Sequence, residues 1–316
     1  MDFSDKKILI TGGAGFIGSN ITKVLLEKGA DVRVLDNFIT GRKINIEPFL
    51  NDNKFELIEG DLRDFSDVRK AVEGIDYILH QGALPSVPRS LKDPITTNNI
   101  NILGTLNVLM AAKEAGIKRV VYASSSSVYG NSKTLPKKED MPVNPLSPYA
   151  LSKYTGERYC QIFYQIYGLE TVCLRYFNVF GPNQDPTSQY AAVIPKFIDI
   201  MKKDGRPTIY GDGSQSRDFT YVENVVQANL LSCEAEEAAG EVFNIAYGKS
   251  FSLLQLVDFI NKNLSKDIKP EFTESRSGDV KHSLASTEKA KDKLGYEPKI
   301  DFEQGLEKLI KASLIF

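Results

Sequence analysis

The glycine-rich turn near the start of the chain is the feature that most constrains its fold. Lys7–Ile10 is a short apolar run, the turn spans residues 12–18 with the spacing G-x-x-G-x-x-G, and apolar residues then recur at helical spacing through residue 28. Glycines let the backbone approach phosphates closely, and the free N–H groups of a helix N-terminus stabilise their charge. The turn therefore predicts a site for the pyrophosphate of a dinucleotide. The residues expected to contact it are Gly12, Gly15, Phe16, Ile17 and Gly18.

An acidic residue at the end of the second predicted strand indicates that the glycine turn binds a dinucleotide and is not purely structural. Asp36 follows the run Val32–Leu35 and lies 18 residues beyond Gly18. A carboxylate there can accept hydrogen bonds from the adenosine ribose hydroxyls and would repel a 2′-phosphate. The sequence thus favours NAD, while the neighbouring pair Arg42-Lys43 leaves NADP open as the alternative.

Strand and helix patterns alternate along the first half of the chain. Apolar runs of strand length occur at 32–35, 55–58, 77–80 and 120–123, and helical patterns lie between them at 68–72 and 102–115. Such β-α-β alternation predicts an α/β fold, with a doubly wound parallel sheet of Rossmann type and helices on both of its faces.

A second, smaller α/β lobe is expected in the C-terminal third. After about Gly181 loops separate shorter elements, residues 253–264 and 303–314 have helical patterns, and Val242–Ile245 is expected to return to the first sheet. The length of 316 residues fits about two domains. The predicted division is a dinucleotide-binding domain of residues 1–180, joined by 220–250, and a substrate-binding lobe of residues 181–219 and 251–316.

The composition limits the chemistry and the partners. The 39 basic and 41 acidic residues give a net charge of −2, so neither nucleic acid nor a membrane surface is expected as a partner. Three cysteines without metal-like spacing and two histidines argue against a metal site and a disulfide framework. The first residues lack a signal-peptide pattern and no apolar run reaches membrane-spanning length, which predicts a cytoplasmic protein.

Tyr149 and Lys153 form a candidate catalytic pair. They are four residues apart at the start of a strongly helical stretch, so they share one face of a helix. A nearby cation lowers the pKa of a tyrosine, and a base tuned in this way can take a proton from a sugar hydroxyl. Tyrosine and lysine at this spacing are also common on amphipathic helices. The serines at 124–127 favour the catalytic interpretation, because they follow a predicted strand at the sheet edge where such folds bind ligands.

With these motifs, the sequence resembles the extended short-chain dehydrogenase/reductases, and among them the nucleotide-sugar epimerases of the NAD-dependent epimerase/dehydratase family. The subfamily that it resembles most is that of the UDP-N-acetylglucosamine (UDP-GlcNAc) 4-epimerases, and the resemblance covers nearly the whole chain. It is carried by the residues at 11–18, 36–38, 61–64, 84–90, 125–130, 149–153, 174–182, 184–186, 216–219 and 276–279.

The resemblance implies reversible C4 epimerisation of a UDP-hexose through a 4-keto intermediate, with NAD kept bound as a prosthetic group. Tyr149, as the phenolate, would take the proton of the sugar 4-hydroxyl while hydride passes from C4 to NAD. Lys153 would lower the pKa of the tyrosine and hold the nicotinamide ribose. Ser125 would hydrogen-bond the 4-oxygen, and hydride would return to the other face of the keto sugar.

The resemblance also assigns binding residues. Those implied for the cofactor, beyond the glycine turn and Asp36, are Asn37, Gly41, Asp61, Leu62, Gln81, Ala83, Asn101, Tyr149, Lys153 and Tyr176. Those implied for the UDP-sugar are Ser86, Ser125, Ser126, Tyr149, Asn178, Gln184, Val193, Tyr210, Arg217, Arg276, Asp279 and Ser283. Two arginines suit a diphosphate, because planar guanidinium groups form charge-assisted, multidentate hydrogen bonds.

Ser283 bears on the choice of sugar. In relatives restricted to glucose and galactose a bulky tyrosine stands four residues after the position of Asp279, so a serine there is expected to leave room for a 2-acetamido group. Ser283 could equally be an ordinary surface-loop residue. The resemblance therefore implies UDP-GlcNAc and its C4 epimer UDP-GalNAc as the preferred pair, with UDP-glucose and UDP-galactose as weaker substrates.

Two alternatives stay open. A UDP-glucuronate 4-epimerase shares much of this pattern, with Arg89 or Lys281 available to a carboxylate, and a non-catalytic NAD-sensing regulator would keep the glycine turn. A 4,6-dehydratase or a decarboxylase fits less well, because Ser126 and Ser127 stand where those enzymes carry acidic residues. Relatives also imply a homodimer formed through helices at 101–115 and 150–167.

Overall fold

The computed structural model describes residues 2–185, 192–274 and 281–314. The strands in these ranges are β1 (Lys7–Thr11), β2 (Asp31–Asp36), β3 (Phe55–Glu59), β4 (Tyr77–His80), β5 (Arg119–Ser125), β6 (Glu170–Tyr176), β7 (Val179–Phe180), β8 (Thr208–Tyr210), β9 (Ser216–Asp218), β10 (Thr220–Tyr221), β11 (Val242–Ile245), β12 (Ser250–Ser252) and β13 (Glu271–Thr273). The α-helices are α1 (Phe16–Glu27), α2 (Phe65–Val72), α3 (Val87–Lys92), α4 (Pro94–Asn98), α5 (Gly104–Ala115), α6 (Pro148–Tyr167), α7 (Val193–Lys202), α8 (Val222–Glu234), α9 (Leu253–Leu264), α10 (Glu288–Leu294) and α11 (Phe302–Leu314).

The main sheet has seven strands in the order β11-β6-β5-β4-β1-β2-β3. Every neighbouring pair in it is parallel. The strand order reverses between β1 and β4, and the crevice at the carboxyl ends of such strands is where folds of this kind bind ligands. The doubly wound sheet of Rossmann type that the alternating pattern predicts is thus confirmed.

Helices cover both faces of this sheet, which explains why its strands are apolar without alternation. On one face α1 and α8 pack through buried side chains that include Ile21, Leu25 and Val225. On the other face α2 and α5 pack through Val68 and Val108, and α6 packs beside them. The carboxyl end of the sheet, where the glycine turn lies, is therefore supported by a core on each face.

A smaller core is built around aromatic rings. Phe180, Phe219, Phe251 and Phe302 have ring centroids 4.4 to 6.5 Å apart, and α7, α9 and α11 contribute to the same cluster. Short pairs of strands, β8 with β13 and β9 with β12, lie in this part of the chain. The cluster includes Phe180, which precedes the expected boundary, so the division into two domains stays a prediction. The strand β11 pairs with β6 in the main sheet.

Several elements go beyond the sequence predictions. The helix α8 is buried on most of its sides and so has no amphipathic signal. Residues 99–103 form a π-helical turn between α4 and α5, an irregularity that is rare and frequent at functional sites. None of the helices in the described ranges is long and apolar enough to cross a membrane.

Candidate active site

A cavity of about 640 Å³ opens at the carboxyl ends of β1 and β4, at the switch point of the sheet. The predicted cofactor residues that line it are Gly12, Gly15, Phe16, Ile17, Gly18, Asp36, Asn37, Gly41, Asp61, Leu62, Gln81, Ala83, Tyr149, Lys153 and Tyr176. The fold therefore brings together predicted residues from six separate segments of the chain. Asn101 is the one predicted cofactor residue outside this lining.

The glycine turn is packed too closely for larger residues. Gly12 has a φ of 68°, in the left-handed region, and a Cβ on Gly18 would overlap the carbonyl oxygen of Gly12. Gly15 caps α1 without a side-chain hydrogen bond, and the first turn of this helix holds no acidic residue. Because residues 15–18 line the cavity, the free N–H groups at this helix end suit the pyrophosphate of NAD.

Asp36 lies at the end of β2 with 7% of its surface exposed. Its two carboxylate oxygens accept hydrogen bonds from the backbone N–H groups of Phe38 (2.8 Å) and Ala14 (2.9 Å). Burial raises the pKa of this carboxyl, and the N–H donors oppose that shift. A Cβ on Gly41 would lie 2.6 Å from one carboxylate oxygen, so glycine is required beside it.

Asp61 and Asn37 form the neighbouring wall. The guanidinium of Arg63 donates to Asp61 at 2.6 Å, and the amide of Asn37 donates to the same carboxylate at 2.9 Å. The bonds from Arg63 are the main cause that lowers the pKa of Asp61 to about 2. The carboxylate therefore stays ionised and fixed in place next to Leu62.

Tyr149 and Lys153 lie at the start of α6, against the carboxyl end of β5. The ammonium group of Lys153 donates to the backbone oxygen of Ala123 (2.8 Å), and burial lowers its pKa to about 8. Tyr149 lines the cavity. Burial in the protein raises the pKa of its phenol, and a hydrogen bond with Ser125 opposes this shift without cancelling it. The expected lowering of the tyrosine pKa by Lys153 therefore stays a prediction.

Asn101 does not line the cavity, but it is bonded to a residue that does. Its side chain lies in the π-helical turn, accepts the backbone N–H of Leu84 (2.7 Å) and donates to the hydroxyl of Ser152 on α6 (3.0 Å). Since Leu84 lines the cavity, the asparagine joins the loop after β4 to the helix that carries Tyr149.

Most of the residues expected to hold the UDP-sugar lie outside the cavity lining. Besides Tyr149, only Gln184 of the described ones lines it, and its Oε1 atom is buried without a hydrogen-bond partner among the described residues. The described positions outside the lining are Ser86, Ser125, Ser126, Asn178, Val193, Tyr210, Arg217 and Ser283. Arg276 and Asp279 fall outside the described residues.

Hydrogen bonds bring three of the positions predicted for the substrate, Asn178, Arg217 and Ser283, together around β9. The amide of Asn178 donates to the backbone oxygen of Asp218 (3.1 Å), so the segment after β6 lies against β9. On β9 the guanidinium of Arg217 donates to the backbone oxygen of Lys281 (3.1 Å). The backbone N–H of Ser283 donates to Ser216 (3.0 Å), which places residues 281–283 beside the same strand.

Other residues of the site were not anticipated. Ile39, Thr40, Asn45 and Asn183 also line the cavity, and no short motif points to them. Behind the cavity, His80 joins Thr11 of β1 (2.6 Å) to Thr105 of α5 (3.0 Å), and burial lowers its pKa to about 3. A histidine with such a pKa is neutral near pH 7, so it serves here as a fixed hydrogen-bonding group. Within the described ranges no cluster of three or more His, Cys, Asp or Glu side chains could hold a metal ion.

Taken together, the crevice, the tyrosine–lysine pair and the serine at the strand end are those of a dinucleotide-binding enzyme of the dehydrogenase/reductase class. The sequence profile described as the NAD dependent epimerase/dehydratase family matches residues 8–246. The chain belongs to this family.

Similar proteins define the activity more narrowly. A UDP-N-acetylglucosamine 4-epimerase from Methanobrevibacter ruminantium M1, solved with UDP-N-acetylmuramic acid, has a TM-score of 0.94 and 42% identity, over 100% of this chain and 99% of that one. A UDP-glucuronic acid 4-epimerase from Bacillus cereus, solved with UDP-glucuronic acid and NAD, has a TM-score of 0.90 and 33% identity, over 98% of this chain and 100% of that one. The UDP-glucose 4-epimerase of Mycolicibacterium smegmatis is 35% identical over 96% of this chain and 97% of its own length. The chain is an NAD-dependent UDP-sugar 4-epimerase, which removes the non-catalytic alternative.

Proposed function

We propose that the preferred substrates are the 2-acetamido pair UDP-GlcNAc and UDP-GalNAc, with UDP-glucose and UDP-galactose converted less efficiently. The observation that carries this proposal is the small side chain of Ser283 in a segment bonded to the strand of Arg217. A small side chain leaves space for the extra acetamido group, which a bulky one would exclude. The 42% identity to a UDP-N-acetylglucosamine 4-epimerase supports the same choice.

The residues of this chain divide the work of the epimerisation. Tyr149, as the phenolate, takes the proton of the sugar 4-hydroxyl and returns it after the keto sugar has turned over. Ser125 holds the 4-oxygen and the phenol oxygen in one hydrogen-bonded line, since it already bonds Tyr149. Lys153 supplies a buried positive charge beside them. Bound NAD supplies the acceptor, and then the donor, of the hydride at C4.

Arg89 supports a second candidate, the UDP-glucuronate pair. Its side chain contributes to the cavity lining, where a guanidinium can form a charge-assisted bond with a sugar carboxylate. The relative solved with UDP-glucuronic acid is 33% identical to this chain. The higher identity to the UDP-N-acetylglucosamine 4-epimerase, 42%, favours the acetamido pair.

A direct assay tests the proposal. Purified protein is incubated without added NAD with UDP-GlcNAc, UDP-glucose or UDP-glucuronate, and the C4 epimers are resolved by chromatography. We expect the highest kcat/KM with UDP-GlcNAc, and no product with Tyr149→Phe, the matched control. A higher kcat/KM with UDP-glucuronate would replace the proposed substrate. No epimer from any of the three sugars, in protein shown to contain NAD, would contradict the activity itself.

We also propose that the chain forms a homodimer through α5 and α6. Apolar side chains at the surface of α6 support this assembly, with Ile166 67% exposed, Leu151 52% exposed and Tyr167 49% exposed. Leu151, Ile162 and Ile166 share one face of α6, and an exposed apolar patch marks a candidate interface. Analytical ultracentrifugation should give twice the mass of 35.2 kDa, and Ile166→Glu should shift the protein toward monomer. A wild-type monomer at micromolar concentration would contradict the assembly.

A further inference from the structure

A buried ion pair lies next to the candidate catalytic pair, and one of its partners is on the same helix. Glu157 is one helical turn beyond Lys153 and two turns beyond Tyr149. Its carboxylate accepts hydrogen bonds from Nε and Nη2 of Arg175 on β6, both at 2.8 Å. The side chain of Glu157 is 1% exposed and that of Arg175 is 4% exposed. The desolvation of two buried charges offsets much of their attraction, so such a pair is a poor source of stability and invites a functional explanation.

A serine of β5 shares the same carboxylate. The hydroxyl of Ser124 donates to Glu157 at 2.5 Å, and Ser124 is the register partner of Arg175 in the β5–β6 pair. Its two neighbours in the strand, Ala123 and Ser125, bond the lysine and the tyrosine of the candidate catalytic pair. Three consecutive residues at the end of β5 are therefore each tied to α6.

We propose that Glu157 is a positioning residue of the epimerase reaction. It fixes how α6 lies along the end of β5, and thereby where Tyr149 and Lys153 meet the substrate. The approach of helix and strand is close at Gly156, where a Cβ would overlap the hydroxyl of Tyr122 on β5. Packing thus brings the two elements together, and the shared carboxylate selects one placement of the helix.

The charge of Glu157 acts on Lys153 as well. Burial lowers the pKa of the lysine, and Cys160 and Glu157 on the same helix oppose that shift. Besides Tyr149, the titratable groups of Tyr122 on β5 and His80 on β4 also lie near the lysine. Because the reaction needs the cationic lysine beside the tyrosine, Glu157 supports the pair by its charge as well as by its position.

The first test removes both charges at once. Glu157→Leu combined with Arg175→Met replaces the pair by apolar groups, an exchange that buried ion pairs often tolerate. We expect unchanged NAD content and an unchanged KM for the UDP-sugar, while kcat falls by about 10- to 100-fold. If kcat stays at the wild-type value while the free energy of unfolding changes, the pair is merely structural and the proposal is wrong.

The second test addresses the bond from Ser124. Ser124→Ala leaves the ion pair in place and should lower kcat with little change in KM; an unchanged kcat would overturn the proposal, even if the double variant does not fold. Ser124 also lines the cavity, so a direct effect of its hydroxyl on the ligands must be distinguished from its effect through Glu157. In the triple variant Ser124→Ala, Glu157→Leu, Arg175→Met, kcat should fall by the same factor as in the double variant. If it falls instead by the product of the factors for Ser124→Ala and for the double variant, Ser124 does not act through Glu157, and the proposal is wrong.

The chain offers a matched control. Arg119 and Glu170 are register partners in the same two strands, at their opposite ends, and form an ion pair at 2.8 Å. Glu170→Gln should change the free energy of unfolding and leave kcat unchanged. An equal loss of kcat in this control would mean that any weakening of the β5–β6 pair slows the enzyme, and it would remove the specific role of Glu157. The tests apply to whichever UDP-sugar the enzyme turns over, so a wrong substrate proposal would not obscure their outcome.

Discussion

The ammonium group of Lys153 lies 2.8 Å from the backbone oxygen of Ala123. This bond joins the catalytic helix to the last residues of a central strand, where the cavity begins. Because a backbone oxygen next to the strand end cannot move independently of the sheet, the lysine is placed before any ligand binds. Such preorganisation is the main means by which an active site lowers a barrier without reorganising during the reaction.

Tyr149→Phe should abolish epimerisation, since the phenyl ring keeps the packing and removes the proposed proton acceptor. We expect kcat to fall by about 100-fold or more, as is typical for the loss of a general base. NAD released on denaturation and the Kd for UDP should remain at wild-type values. Tyr164→Phe, further along the same helix, is the control and should keep full activity; activity retained by Tyr149→Phe would exclude the tyrosine as the base.

Gly18→Ala should prevent stable binding of NAD. A Cβ at this position would overlap the carbonyl oxygen of Gly12, and the turn that carries the proposed pyrophosphate site must then move. NAD content is measured by absorbance after denaturation. The control is Gly116→Ala, where a Cβ meets open space but φ is 67°, so a loss of stability of about 1 kcal/mol without a loss of NAD is expected. Equal NAD content in the two variants would contradict the role of the turn.

The cofactor side of the site was predictable from short-range patterns. The turn at 12–18 and Asp36 belong to one continuous β-α-β unit, whose geometry depends on residues that are close in the sequence. Tyr149 and Lys153 likewise belong to one helix. In each case the number of residues between two positions determines how far apart they lie in the fold, so the sequence pattern alone predicts that they lie close together.

The remaining features depend on tertiary packing. The bond between Ser124 and Glu157 joins residues 33 positions apart, and no periodic pattern relates a strand end to a later helix. The helix α8 escaped prediction because burial on most sides removes its amphipathic pattern. The substrate side combines β9 with residues 281–283, which only the folded chain brings together.

Ser283→Tyr should change the choice of sugar. We expect kcat/KM for UDP-GlcNAc to fall by about 10-fold or more, while that for UDP-glucose is nearly unchanged, since steric exclusion of one group discriminates by this order. Ser283→Ala is the matched control, because it keeps the small size and removes the hydroxyl. If the alanine variant discriminates as the tyrosine variant does, hydrogen bonding rather than space sets the preference. An equal loss on both sugars in the tyrosine variant would contradict the steric role of this position.

Asp218 should make the stability of the folded protein depend on pH. Its buried carboxyl accepts the backbone N–H groups of Tyr247 (3.1 Å), Gly248 (3.2 Å) and Ala285 (3.2 Å). Burial raises its pKa to about 7 from 3.8, and the N–H donors oppose that shift. Between these two values the folded protein holds a proton that the unfolded chain has lost, so raising the pH through this window lowers the free energy of unfolding.

Asp218→Asn isolates this contribution, because the amide does not titrate. We expect the free energy of unfolding of the wild type, relative to the variant, to fall between pH 4 and pH 7 by at most about 4 kcal/mol and to be constant above pH 7. Urea unfolding of the NAD-bound protein at a series of pH values measures this difference. A difference that is constant from pH 4 to pH 7 would show that the pKa of the carboxyl is not raised, and one that grows with pH would show that the three N–H donors outweigh its burial.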